Sequence, residues 1–82
     1  MNLIDGAVIW KIKATHGLPL DFALTRLAQL DAVPTWDRLI ESASRDGADI
    51  PKLVRELQFF VKEAYAPEVA HEINNRLEAI SP

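Results

Sequence analysis

Apolar residues in the last third of the chain recur every three or four positions. One such run covers residues 50–64 and a second covers residues 69–80, with Pro67 between them. This spacing is typical of an amphipathic helix that buries one face. Proline suits a first helical turn and disfavours helical geometry at the residue before it. We therefore expect two helices, over residues 50–65 and 67–80. A single kinked helix is the alternative.

Glycine and proline divide the first fifty residues into three further segments, over residues 5–16, 19–30 and 35–45. The second and third carry apolar residues on one helical face, namely Leu20, Ala23, Leu24, Leu27, Leu30, Trp36, Leu39, Ile40 and Ala43. Short connections place successive helices beside each other. The predicted fold is an all-α, compact, single-domain bundle of four to five short helices over residues 1–82.

The first segment is the one whose pattern fits two structures. Ile4, Val8 and Ile12 have helical spacing, and Asp5 and Gly17 suit the two ends of a helix. Residues 10–14, however, alternate between apolar and polar as in a strand. We find no second strand candidate with which they would pair. We therefore favour a helix and keep a strand over residues 8–14 as the alternative.

Composition narrows the function classes. The chain has 82 residues, no cysteine, and 9 basic against 12 acidic residues, for a net charge of −3. A small acidic protein lacks the cationic patch that nucleic-acid binding normally needs. No apolar run approaches the roughly 20 residues that span a bilayer. We expect a cytoplasmic protein that binds neither membranes nor nucleic acid.

Candidate catalytic and metal-binding residues do not form a recognisable site. His71 is followed at the fourth position by Asn75, whereas a helical zinc site needs histidine at both positions. Glu63, Glu68 and Glu72 fall on or near the polar faces of their predicted helices. The sequence therefore predicts no enzymatic activity, no metal and no cofactor.

A helix-turn-helix DNA-binding regulator is the alternative function. The second and third segments are short and lie on either side of residues 31–34, as that motif requires. Against it, the exposed face of the third segment carries acidic as well as basic residues, which oppose docking to phosphates.

Phe59 is the residue that points most clearly to a protein partner. It lies about 200° from Leu57 around the helix, on the polar side with Arg55 and Lys62. Exposed aromatic residues surrounded by charge are typical of interfaces. The alternative is that the first or the last predicted helix covers the ring. Trp10 lies in a segment that is apolar on more than one face, so it is the second candidate. We predict a partner-binding site formed by Phe59, Trp10, Arg55 and Lys62, for another protein or a second copy.

Two short stretches of the chain carry a family resemblance. They are Thr-His-Gly-Leu-Pro-Leu-Asp at residues 15–21 and Trp-Asp-x-x-Ile-Glu-x-Ala from Trp36 to Ala43, which is followed by Gly47. Over residues 10–47 the chain resembles a short helical open reading frame of tailed phages and prophages. The resemblance implies an accessory or structural phage protein, or an inhibitor of a host system. Such proteins act by binding other proteins, which agrees with a non-catalytic interaction module.

Overall fold

The computed structural model describes residues 1–80, which form five α-helices and two short strands. In chain order the elements are β1 (Asn2–Ile4), α1 (Gly6–His16), α2 (Leu20–Gln29), β2 (Ala32–Pro34), α3 (Trp36–Arg45), α4 (Ile50–Ala64) and α5 (Pro67–Ile80). The predicted helical bundle is confirmed, and its helix bounds agree with those expected to within one residue.

Helix α1 covers the segment whose pattern fitted two structures, so the strand alternative for residues 8–14 is wrong. The Asp5 carboxylate accepts the N–H of Ala7 at 3.0 Å and caps the start of the helix. Gly17 ends the helix in the left-handed conformation, with φ of 70°, and its N–H donates to the Lys13 carbonyl at 2.9 Å. These two local signals decide between helix and strand.

Neither of the two strands lies in residues 8–14, the segment whose alternating pattern also fitted a strand. β1 and β2 form a parallel pair in which Leu3 lies opposite Val33. The Asn2 N–H donates to the Asp31 carbonyl at 2.9 Å, which joins residues far apart in the chain. Three-residue strands are too short to show a period of two, so no sequence pattern indicated them.

Helices α1 and α3 approach each other closely at Gly6. A Cβ atom on this residue would lie 2.1 Å from the Thr35 carbonyl oxygen and 2.6 Å from the Leu39 nitrogen. The Gly6 N–H also donates to the Thr35 hydroxyl at 2.9 Å. Thr35 lies at the start of α3 as a cap would, yet its side chain bonds to α1 and makes no capping bond to α3. Glycine is therefore needed here for backbone proximity.

Helices α4 and α5 are separate, as Pro67 predicted. Tyr65 lies between them in an extended conformation, with φ of −113° and ψ of 159°. The Asp49 carboxylate caps α4 by accepting the Lys52 N–H at 3.2 Å. The buried Tyr65 side chain donates its hydroxyl to the Ala32 carbonyl at 2.8 Å, which attaches the end of α4 to β2.

All five helices contribute to the core, and its fully buried leucines are Leu24, Leu39, Leu57 and Leu77. Each comes from a different helix, and the last three lie on the apolar faces of the third, fourth and fifth predicted segments. Helix α1 packs chiefly on α3, and α4 packs on both α5 and α2. None of the helices within residues 1–80 is both long and apolar enough to cross a bilayer.

Candidate protein-binding surface on helix α4

Helix α4 has a buried face and an outward face, and Phe59 is on the outward face. Leu53, Leu57 and Val61 are buried against the neighbouring helices. The Phe59 side chain, by contrast, is 61% exposed. This agrees with the helical spacing, which set Phe59 opposite Leu57.

Phe60 supports the exposed ring. The rings of Phe59 and Phe60 meet edge to face, with centroids 6.2 Å apart and planes inclined by 72°. Phe60 is itself partly buried and packs against the core. The edge-to-face contact restrains Phe59 and leaves most of its surface open, which suits a preformed aromatic contact.

Charged residues lie on both sides of Phe59. Arg55 and Lys62 are four residues before it and three after it, which places both on one side of the ring. Glu56 and Glu63 have the complementary spacing and lie on the other side. All four side chains are exposed. The α4 surface, as we name the outward face formed by these five residues, is therefore an aromatic ring between a basic and an acidic edge.

The basic edge is available to a partner. The two ion pairs found within residues 1–80 join Arg38 to Asp5 and Arg45 to Glu41, and neither involves α4. A partner carboxylate would thus approach Arg55 without displacing an existing ion pair. The resulting attraction would be modest, because exposed ion pairs are screened by water and salt.

Trp10 does not belong to this surface, and the expectation that it faces a partner is corrected. The side chain is only 7% exposed, and its indole N–H donates to the Asp46 carboxylate at 2.7 Å. The Lys13 ammonium lies 5.0 Å from the centroid of the indole ring. Helix α1 packs chiefly on α3 and also contacts α2. The buried residues of α1 are Gly6, Ile9 and Trp10, whereas Val8, on another side of the helix, is 48% exposed.

Other exposed apolar residues were not singled out from the sequence. Phe22 on α2 is 56% exposed and Leu3 on β1 is 70% exposed. Leu30, which the helical spacing placed on the apolar face of its segment, lies directly after the end of α2 and is 63% exposed. Phe22 could have been found by the helical spacing that identified Phe59, because it lies opposite the buried face of α2. Leu3 lies in a strand that no pattern indicated, so its exposure depends on the tertiary structure.

The exposed face of α3 carries two arginines that are both engaged with carboxylates. Arg38 bonds to Asp5 at 3.3 Å, and Arg45 bonds to Glu41 one turn earlier. The Arg38 guanidinium and the capping bond from Ala7 hold the Asp5 pKa below its usual value of 3.8. A DNA phosphate would have to compete with these carboxylates for both arginines.

The packing of α3 also differs from a helix-turn-helix motif, in which two consecutive helices pack on each other across a short turn. Here β2 occupies the connection between α2 and α3. Helix α3 packs chiefly on α1 and helix α2 on α4. The geometry does not favour the DNA-binding alternative.

The histidine and the glutamates singled out on α4 and α5 from the sequence lie at the surface. Within residues 1–80, no three side chains of His, Cys, Asp or Glu are grouped so that they could hold a metal ion. His71 is exposed and has Asn75 as its neighbour, with 3.5 Å between His71 Nε2 and Asn75 Nδ2. Glu63, Glu68 and Glu72 are all exposed.

Comparison with known proteins adds no relative to this picture. No protein-family model, curated protein or solved structure matches the chain. Function is therefore argued from the surfaces of the molecule.

Proposed function

We propose that this chain is a non-catalytic protein-interaction module, and that the α4 surface binds the partner. Phe59 is the apolar contact, and Arg55 and Lys62 are the charged contacts. The observation that supports this role is the 61% exposure of Phe59 on a helix whose other face is fully packed. The core does not require this ring, whereas an interface would use it.

The expected binding free energies differ between the aromatic ring of Phe59 and the charged side chains. Burying the exposed part of a phenylalanine contributes roughly 2 kcal/mol to binding. An exposed ion pair contributes about 0.2–1 kcal/mol. Phe59 therefore supplies most of the affinity, and Arg55 and Lys62 orient an acidic partner surface and speed its association.

The resemblance of residues 10–47 to phage open reading frames supports a more specific form of the proposal. In this form the chain is a cytoplasmic phage accessory protein or inhibitor that binds a host or virion protein. Self-association through the same surface is the other form. Both place Phe59 at the centre of the contact, so one substitution tests both.

The test compares Phe59→Asp with Phe22→Asp. Both rings are similarly exposed, but Phe22 lies on α2, outside the α4 surface. Sedimentation velocity measures self-association, and affinity capture from host cells followed by mass spectrometry measures partner binding. Circular dichroism on the same samples reports the fold.

We expect Phe59→Asp to abolish assembly while the helical spectrum is retained, and Phe22→Asp to have no effect on assembly. The proposal fails if the parent protein stays monomeric and captures no partner. It also fails if both substitutions weaken assembly equally, since the α4 surface would then have no special role.

A further inference from the structure

The basic and acidic edges of the α4 surface carry charges at matching heights along the helix. Arg55 and Glu56 are adjacent in sequence and lie on opposite sides of Phe59, as do Lys62 and Glu63. One residue corresponds to a rise of about 1.5 Å, so each cation has a carboxylate at nearly the same height across the ring. The two edges therefore repeat each other along the helix with opposite sign.

Lys52 is a further charge on the outward face of α4. It lies seven residues before Phe59, which places it about 10 Å before the ring and within about 20° of it around the helix. Beside Lys62, helix α5 contributes His71 and Glu78 to a groove, but no ion pair joins α4 to α5 within residues 1–80. The outward face thus presents three cations and two carboxylates, separated by sign around the ring.

A second copy of this chain carries the complementary arrangement when the two α4 helices run parallel across a two-fold axis. The axis exchanges the two edges, so the basic edge of one copy faces the acidic edge of the other. Arg55 then lies opposite Glu56 of the second copy. Lys62 lies opposite Glu63 of the second copy. An antiparallel pair across a two-fold axis would instead set basic edge against basic edge and acidic edge against acidic edge.

The centre of the parallel pair is aromatic. The Phe59 rings of the two copies meet at the two-fold axis, and Phe60 holds each ring from behind by its edge-to-face contact. The two Lys52 side chains also approach each other across the axis and repel. That contact occurs once, whereas the pairs made by Arg55 and by Lys62 each occur twice by symmetry. The balance of charges therefore favours the parallel pair.

We propose that the partner of the α4 surface is a second copy of this chain, bound through a parallel α4–α4 contact with Phe59 at its two-fold axis. This inference rests on the proposed function of the α4 surface and identifies its occupant. One helix face of each copy takes part, so the dimer is weak and reversible. At physiological salt the screening length is about 8 Å, which weakens the repulsion between the two net charges of −3 more than the attraction between adjoining edges.

Two charge-reversal variants test the complementarity of the edges. Arg55→Glu with Lys62→Glu makes both edges acidic, and Glu56→Lys with Glu63→Lys makes both edges basic. In sedimentation equilibrium at physiological salt, each variant alone should dimerise at least about tenfold more weakly than the parent chain. An equimolar mixture of the two variants should recover the parent affinity, because each basic edge then faces an acidic one.

Overall charge is controlled separately. Each Glu→Lys change adds two positive charges, so the variant with two basic edges has a net charge of +1 in place of −3. Its dimer is therefore lost without greater overall repulsion. Asp37→Lys with Glu41→Lys makes the same change of net charge on the exposed face of α3. This control should not lose the dimer.

The orientation of the helices is tested with a single thiol, because the chain has no cysteine. In the parallel dimer, Lys52→Cys brings two thiols together near the axis, and mild oxidation should link them. In an antiparallel dimer they would be about 21 Å apart along the helices, whereas a disulfide needs Cα atoms within about 7 Å. Lys11→Cys, at an exposed position of α1, is the control and should link far more slowly. Lys52→Ala removes the repulsive contact and should tighten the dimer by up to about fivefold.

The proposal is overturned if the parent chain stays monomeric at millimolar concentration, or if the charge-reversal variants dimerise as the parent does. It is equally overturned if Lys52→Cys links no faster than Lys11→Cys. A monomeric parent that captures a host protein through Phe59 would remove the second copy and leave the proposed function of the α4 surface standing. If Phe59→Asp changes neither dimerisation nor capture, the proposed function itself fails.

Discussion

Trp10 in α1 and Phe59 in α4 are two aromatic residues for which the sequence suggested the same role, and the structure gives them opposite environments. Trp10 is 7% exposed with its indole N–H bonded to Asp46, whereas Phe59 is 61% exposed on the outward side of its helix. The residue type therefore does not decide the outcome. The difference comes from the helices in which the two residues lie.

Helix α4 has clearly separated apolar and polar faces, so a residue that departs from the apolar face is exposed. Helix α1 lacks such a separation, and its apolar residues do not define one buried side. Gly6, Ile9 and Trp10 are buried while Val8 is 48% exposed, because the contact with α3, and not the apolar spacing, selects the buried side. Helical spacing thus predicts exposure where the apolar residues lie on one face of a helix, and it fails where they lie on more than one face.

The largest expected effect is a direct contrast between these two aromatic residues. Trp10→Asp places a carboxylate in the core beside Asp46 and should unfold the chain, because a buried charge without a partner costs several kcal/mol. Phe59→Asp should change the free energy of unfolding by no more than about 0.5 kcal/mol. Urea denaturation followed by circular dichroism measures both. A stable, cooperatively folded Trp10→Asp variant would contradict the placement of Trp10.

The inner face of α4 should be as sensitive as its outer face is tolerant. Leu57→Ala should destabilise the chain by roughly 2–5 kcal/mol, since it leaves a cavity in a fully packed site. Leu39→Ala and Leu77→Ala should lie in the same range. Leu30→Ala, at an exposed position directly after α2, is the control and should cost less than about 1 kcal/mol. Equal unfolding midpoints for Leu57→Ala and Leu30→Ala would show that the face is not buried.

Adding a single methyl group at the close contact of α1 with α3 should lower the stability of the chain. Gly6→Ala should cost about 3 kcal/mol, because the new Cβ would overlap the Thr35 carbonyl and the Leu39 backbone, neither of which can move freely. Gly17→Ala is the matched control. Its Cβ would meet nothing within 4 Å, so only the left-handed conformation costs about 1–2 kcal/mol. Thermal unfolding of the two variants compares packing with backbone strain.

Alkaline pH should weaken the attachment of α4 to β2. Burial raises the pKa of Tyr65 to about 12, from an ordinary value of 10.0. The unfolded chain therefore loses the phenolic proton first, and stability is complete below pH 10 and falls as the pH rises toward 12. The loss should reach about 2 kcal/mol. Tyr65→Phe should be less stable at neutral pH and should not show this decline, which denaturation between pH 8 and 12 would measure.

The smallest expected effect concerns the start of α1. The Asp5 pKa is lowered by Arg38 and by the capping bond from Ala7, so its contribution is complete above pH 3.8. That contribution is lost as the pH falls through the lower pKa of the folded state. Asp5→Asn should flatten this part of the acid unfolding curve, and the double variant with Arg38→Gln should behave like Asp5→Asn alone. A steeper acid dependence in Asp5→Asn would contradict the assigned sign.

Local sequence signals were sufficient to predict features that depend on contacts within a single helix. Asp5, Gly17, Asp49 and Pro67 begin or end helices by contacts with backbone a few residues away, so their roles are visible in the sequence. The outward position of Phe59 follows from the same short-range geometry. Each of these features depends only on the dihedral angles and period of a single helix.

The tertiary structure decided what depends on residues distant in the chain. The β1–β2 pair, the bond from Gly6 to Thr35 and the burial of Trp10 each join segments about 30 residues apart or more. None of them alters a local period, so the sequence pattern carries no record of them. The helices and the α4 surface were thus determined by short-range geometry, whereas the core position of Trp10 and the exposure of Leu3 required the folded chain.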